Sequence, residues 1–144
     1  MGTYITCTGH KFENGKWNKV EISFYDGQDY DLFGWLGNVR NLAHIPPYHP
    51  HRGLPEWYEM PNYMFGYDEH AGNYNHTWYT LEELLTFPYD DIFVNRRGTI
   101  TGRIRLNESE GRVMTYRECF GKNYFEQLET LKNDNVDVIV MSWD

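Results

Sequence analysis

Apolar residues recur along this chain with two different periods, and those periods predict its elements. Val20, Ile22 and Phe24 alternate with polar neighbours between Trp17 and Phe24, as in a half-buried strand. Residues 3–8 are β-branched and aromatic and predict a companion strand, with Asn14-Gly15 as the hairpin turn. Leu32, Trp35, Leu36 and Val39 fall at i, i+3, i+4 and i+7 and predict a helix from Tyr30 to Leu42, capped by Asp29 or Asp31. Thr80-Leu81-Glu82-Glu83 is a capping box that opens a second helix, which Pro88 ends. Ile92–Val94 and Thr99–Leu106 predict a pair of strands joined through Arg97-Gly98. A third helix is expected over Asn123–Lys132, using Phe125, Leu128 and Leu131. Val136–Trp143 is almost continuously apolar and predicts a central strand covered on both faces. Together these elements predict an α+β fold. It forms a single domain over residues 1–144, with a mixed or antiparallel sheet and about three helices.

The periodicity breaks between about 44 and 78. Five of the six prolines and five of the six histidines fall between His44 and His76, among many Tyr, Trp, Gly and Asn. This stretch reads as one long ordered loop excursion, a type of segment that is often functional. It either packs its aromatics on the core or presents them to a ligand.

Composition narrows the classes. The chain has 144 residues, 40% hydrophobic and 17% aromatic, enough to bury a core and too aromatic for a disordered protein. No apolar run approaches the roughly 20 residues of a membrane span, so no membrane partner is expected. No basic region followed by an apolar block opens the chain, so no secretory signal is expected. Cys7 and Cys119 then read as reduced, buried thiols. A net charge of −8 argues against a general nucleic-acid binder. It fits solubility, a basic partner or nucleic-acid mimicry.

Four constellations could carry chemistry. His44, His49, His51, His70 and His76 lie near Asp68 and Glu69, donors suited to zinc, but H-E-x-x-H spacing and a neighbouring cysteine are missing. No metal or cofactor is therefore expected. Arg52-Gly53-Leu54-Pro55 pairs a guanidinium with a permissive glycine. Arg52 there grips an anion or pins the loop to a carboxylate or carbonyls, such as those near Asp31. Six of the eight arginines lie between 96 and 117, and Arg103 and Arg105 are expected on one strand face. Trp57 and Trp78 stand out among the excursion aromatics as stacking surfaces. Walker, nucleophile-elbow and dinucleotide motifs are absent.

The order of several segments carries a resemblance. Asp29-Tyr30-Asp31-Leu32-Phe33-Gly34-Trp35-Leu36-Gly37-Asn38-Val39-Arg40 is followed by Arg52-Gly53-Leu54-Pro55. Next come His76-Thr77-Trp78-Tyr79-Thr80-Leu81-Glu82-Glu83 and the terminal Asp137–Asp144. This resembles a group of small bacteriophage and prophage proteins. They share N-Y-x-L-F-x-x-L-x-x-V-R, R-G-L-P, an H-S-x-S-x-L-T-x-x-E-like helix start and a D-V-R-x-V-F-x-F-D-like end. The group brings no established chemistry. It implies a phage-encoded accessory protein, acting in the cytoplasm of an infected host. Members open with C-D-I-H, where this chain reads Gly2-Thr3-Tyr4-Ile5-Thr6. If that motif is catalytic in the group, the activity is lost here.

The sequence thus predicts a binding protein that counters host defence or redirects a host process. It would sequester a small anionic ligand, such as a nucleotide immune signal, or cap a host protein. Arg52, Trp57, His76, Trp78, Arg103 and Arg105 are the candidate ligand-binding residues. The alternative is a metal-assisted or histidine-based phosphoesterase using His76, His70, Asp68 and Arg52. Self-association into a homo-oligomer stays open.

Overall fold

The computed structural model describes residues 2–24, 27–60, 68–97, 100–101, 104–105 and 111–144. The chain begins with a hairpin, β1 (Ile5–Glu13) and β2 (Lys16–Val20). Its two-residue turn places Asn14 and Gly15 at φ 56° and 76°, the left-handed pair that suits a tight hairpin. Helix α1 (Tyr30–Gly37) follows, then β3 (Tyr74–Thr80), α2 (Leu81–Thr86) and β4 (Ile92–Asn95). After these come the short strands β5 (Ile100–Thr101) and β6 (Ile104–Arg105), then β7 (Arg112–Thr115), α3 (Tyr116–Asn133) and β8 (Val138–Trp143). The fold is α+β, and every strand pairing among the described residues is antiparallel.

The main sheet runs β2-β1-β8-β3, so the C-terminal strand is internal, as its unbroken apolar run predicts. All six residues of β8 are buried. Ile139, Met141 and Trp143 point into the hydrophobic core with Ile5, Tyr79, Leu32, Phe33, Trp35, Leu36, Tyr124, Leu128 and Leu131. Their strand neighbours Val138, Val140 and Ser142 are equally buried but lie on the opposite face, which the excursion covers. Among the described residues no helix is long and apolar enough to cross a membrane.

Several boundaries differ from the sequence expectation, each for a local reason. Helix α1 stops at Gly37 rather than Leu42. Asn38 turns left-handed (φ 56°), and its N–H caps the carbonyls of Gly34 and Phe33. A larger residue at Gly37 would meet the Trp143 ring at 2.6 Å, so glycine is what lets α1 lie against β8. Helix α3 begins at Tyr116, seven residues before the expected start, with Thr115 and Glu118 forming a capping box. Gly121 (φ 79°) kinks it, which interrupts the apolar spacing, and its buried stripe is Tyr116, Phe120, Tyr124, Leu128 and Leu131, with Phe125 only partly buried. Strand β4 pairs with β7, not with the 99–106 run. That run is divided into β5 and β6, which pair with each other, and Arg103 between them lies outside the described residues.

The excursion also holds an element its composition conceals. Its last part is β3, the sheet's far edge, with an irregularity between Tyr74 and Thr77. Tyr48 stacks on Trp35 at 5.3 Å, and its N–H bonds the Trp35 carbonyl. The His49 N–H then reaches the Tyr79 hydroxyl, and Gly53 N–H the His76 carbonyl. The chain thereby rounds the β3 edge and returns across the second face of the sheet.

Candidate functional site

The Arg52 loop is anchored by this route. Gly53 adopts φ 74°, and the Arg52 N–H bonds the Thr77 hydroxyl. The Arg52 guanidinium forks onto Glu83, Nη1 to Oε1 at 2.8 Å and Nη2 to Oε2 at 2.6 Å. Nη1 also bonds the Trp78 carbonyl, and the guanidinium lies 4.4 Å above the Trp78 ring. Burial pushes the Glu83 carboxyl up, but Arg52, the Thr80 N–H and the charges of Arg52 and His49 outweigh it and bring it to about 2. Glu83 also closes the capping box of α2 with Thr80. Arg52 and Trp78 therefore meet, around an internal carboxylate. Asp31, the neighbourhood proposed from sequence for pinning Arg52, is instead held by Arg97.

Trp57 lies elsewhere. It stacks on Trp17 of β2 with ring centres 4.1 Å apart and planes 10° from parallel, and its edge meets His10. Around this indole pair lies an open cleft of about 300 Å³, lined by His10, Trp17, Lys19, Trp57, Tyr58, Glu59, Asp68 and Glu69. Strand β1 alternates Thr6, Thr8 and His10 onto this side, and β2 adds Trp17 and Lys19. Lys19 is bonded to Glu69. Asp68 accepts from the Tyr58 hydroxyl at 2.7 Å and from the His70 N–H at 2.8 Å.

Behind the cleft runs a buried polar relay. The Thr8 hydroxyl touches Nε2 of both His10 (2.8 Å) and His70 (2.9 Å). His70 Nδ1 meets the Ser142 hydroxyl at 2.6 Å, and the Asn73 amide donates to Ser142 and Thr6. Ser142 is fully buried, and Asn73 fills an acceptor position on its oxygen. The direction of its bond with His70 Nδ1 is set by the tautomer of that ring. Burial lowers both imidazoles to about 4 (Lys19 adds to this at His10), against the opposing pull of Asp68 and Glu69. Both rings are neutral near pH 7. Burial and the bond to Asp68 push the Tyr58 hydroxyl up.

The six sequence-predicted residues thus fall in different places. Arg52 and Trp78 share one cluster. Trp57 belongs to the cleft, and His76 sits behind it, its Nε2 bonded to the His70 carbonyl at 3.2 Å. Arg103 lies outside the described residues, and the backbone of Arg105 is on β6 opposite Ile100. Of the excursion histidines, His70 and His76 lie with ring centres 6.3 Å apart, whereas His44 and His51 are exposed and His49 pairs with Glu83. Among the described residues no three His, Cys, Asp or Glu side chains come together as a metal site. Sequence reasoning missed His10, Trp17 and Lys19. The signal for His10 was the alternation Thr6-Thr8-His10, which runs past the β-branched and aromatic residues 3–8. No family model, curated protein or solved structure matches this chain, so the reading of the site rests on its geometry.

Proposed function

We propose that the protein acts by binding, and that its partner is a protein held against the acidic, aromatic cleft. One observation supports this above the others. The groups a phosphoesterase would need are already satisfied internally: both His70 nitrogens by hydroxyls, Asp68 by Tyr58 and the His70 amide, Arg52 by Glu83. The open surface next to them is instead rich in indole and carboxylate. With Arg52 occupied, an anionic small ligand loses the residue that argued most for it, and capping of a host protein becomes the favoured form. In the phage setting that the resemblance implies, such capping would counter a defence or redirect a host process in the host cytoplasm.

A photo-cross-linking residue placed at exposed position 56 tests this. In host extract it should give a defined protein adduct that Trp57→Ala removes. A nucleotide that raises the melting temperature without any adduct would favour the sequestered anion. Phosphoester turnover lost in His70→Ala but kept in Trp57→Ala would overturn the binding reading.

A further inference from the structure

The cleft shows which chemistry it suits. Three carboxylates, Glu59, Asp68 and Glu69, face one ammonium, and Lys19 is already paired with Glu69. The hydrogen bonds to Asp68 come from neutral donors, and among the described residues no Lys or Arg forms an ion pair with it. His10, only 6% exposed, uses Nε2 on Thr8 and has no hydrogen-bond partner for its other ring nitrogen among the described residues. The Trp17–Trp57 stack supplies a flat indole wall.

The protein itself shows how such a set is filled. Five residues before Trp57 in the sequence, Arg52 lies on the Trp78 indole and forks onto Glu83. Indole plus carboxylate recurs in the cleft, with no arginine of the described chain between them. A planar guanidinium stacks on indole and bridges to carboxylate, while a compact ammonium is strongly hydrated and does neither as well. At about 300 Å³ the cleft is at the lower limit of small-molecule sites and suits one long side chain.

We infer that the cleft is a guanidinium site, receiving an arginine side chain presented by the protein partner. Trp17 and Trp57 form its wall, and Asp68 and Glu59 supply its charge. The inference rests on the binding reading above and names the partner's chemistry: a basic segment, complementary to a chain of net charge −8.

The test uses the full chain and N-acetyl-arginine methylamide as probe, read by the indole N–H resonances of all five tryptophans. The probe should shift Trp17 and Trp57 saturably, leaving the buried Trp35 and Trp143 unmoved. The lysine analogue should bind about tenfold more weakly. Glu59→Gln, at an exposed position, should weaken the arginine probe severalfold and leave melting unchanged. An arginine-rich peptide should bind more tightly than the amide and compete with the cross-linked partner. Unmoved Trp17 and Trp57 resonances at saturating probe would overturn the inference, as would shifts produced by AMP or inorganic phosphate in place of arginine. A partner adduct that survives both Glu59→Gln and excess arginine peptide also overturns it, while leaving the binding reading intact. Arginine-specific shifts with no adduct in host extract would support the site and remove the host-protein reading.

Discussion

On one side of the β1–β8–β3 sheet, Ile139, Met141 and Trp143 meet Phe33, Trp35, Leu36 and the α3 stripe in a core made of aliphatic and aromatic surface. On the other side, Thr8, His10 and Ser142 meet His70, Asp68 and Tyr58 through hydrogen bonds. The same strands supply both faces, because alternate residues point opposite ways. The first face is held by contacts that need volume and shape and tolerate apolar exchange. The second is held by directional bonds, in which each buried donor needs its own acceptor and each imidazole must stay neutral. One face therefore fixes the fold. The other sets an open cleft on a support that cannot shift without leaving polar groups unpaired.

The contrast should break first on the apolar side. Trp143→Ala should cost about 3–5 kcal/mol, by removing buried surface and leaving a cavity against α1. Gly37→Ala should also destabilise, because its methyl would press on the Trp143 ring, and pairing it with Trp143→Ala should relieve that strain. Urea unfolding of the single and double variants checks both. On the polar side, His70→Ala should cost about 2–3 kcal/mol by taking one buried hydrogen bond from each of the Thr8 and Ser142 hydroxyls. It should also loosen the Trp57–Tyr58 stretch, detectable as faster amide exchange there with α3 protection retained. Equal loss of protection on both faces would contradict the division.

Acid separates the faces by a different route. Folded His10 and His70 take up protons only near about 4, whereas in the unfolded chain they do so near 6.5. The unfolded state therefore binds more protons in that window, and stability is full above 6.5 and falls as pH drops towards 4. Glu83, held near about 2, adds a second loss between 4.5 and 2. Urea midpoints from pH 7 to 4 should fall in the wild type and much less in a His10→Phe, His70→Phe double variant that still folds. A flat profile would mean that the two imidazoles are not held neutral by the excursion.

Smaller effects sharpen the anchor between the faces. Arg52→Ala should cost about 2 kcal/mol through the lost fork on Glu83, and Arg52→Lys should restore only part of it. Thr80→Ala should cost about 1 kcal/mol as a lost N-cap, because Thr80 accepts the Glu83 N–H at 3.1 Å. Thermal melts read both, and neither should change the arginine-probe shifts at Trp17 and Trp57.

Local chemistry was enough to read much of this from the chain. Asn14-Gly15, Asp29, Thr80 and Glu83 act through neighbours a few residues away, so their turn and caps are legible in order along the sequence. The unbroken run Val138–Met141 likewise declares a strand buried on both faces, because no edge position hides every side chain. The α1 and α3 bounds differ from the apolar periodicity because Asn38 and Gly121 take left-handed backbone that periodicity does not register. Strand β3 was hidden in an excursion whose composition reads as loop, and only its pairing with β8 makes it a strand. The candidate site lay furthest from view. Thr8 and His70 are 62 residues apart, and His70 and Ser142 are 72. Arg52 could face an anion or a carboxylate equally well until Glu83 was brought beside it. A hydrogen bond depends on two atoms meeting within about 3 Å at the right angle. Residue type names what each side chain can donate, accept or stack upon. Only the tertiary fold decided that Arg52 is already paired with Glu83 and that indole and carboxylate meet again in the cleft with no described arginine between them.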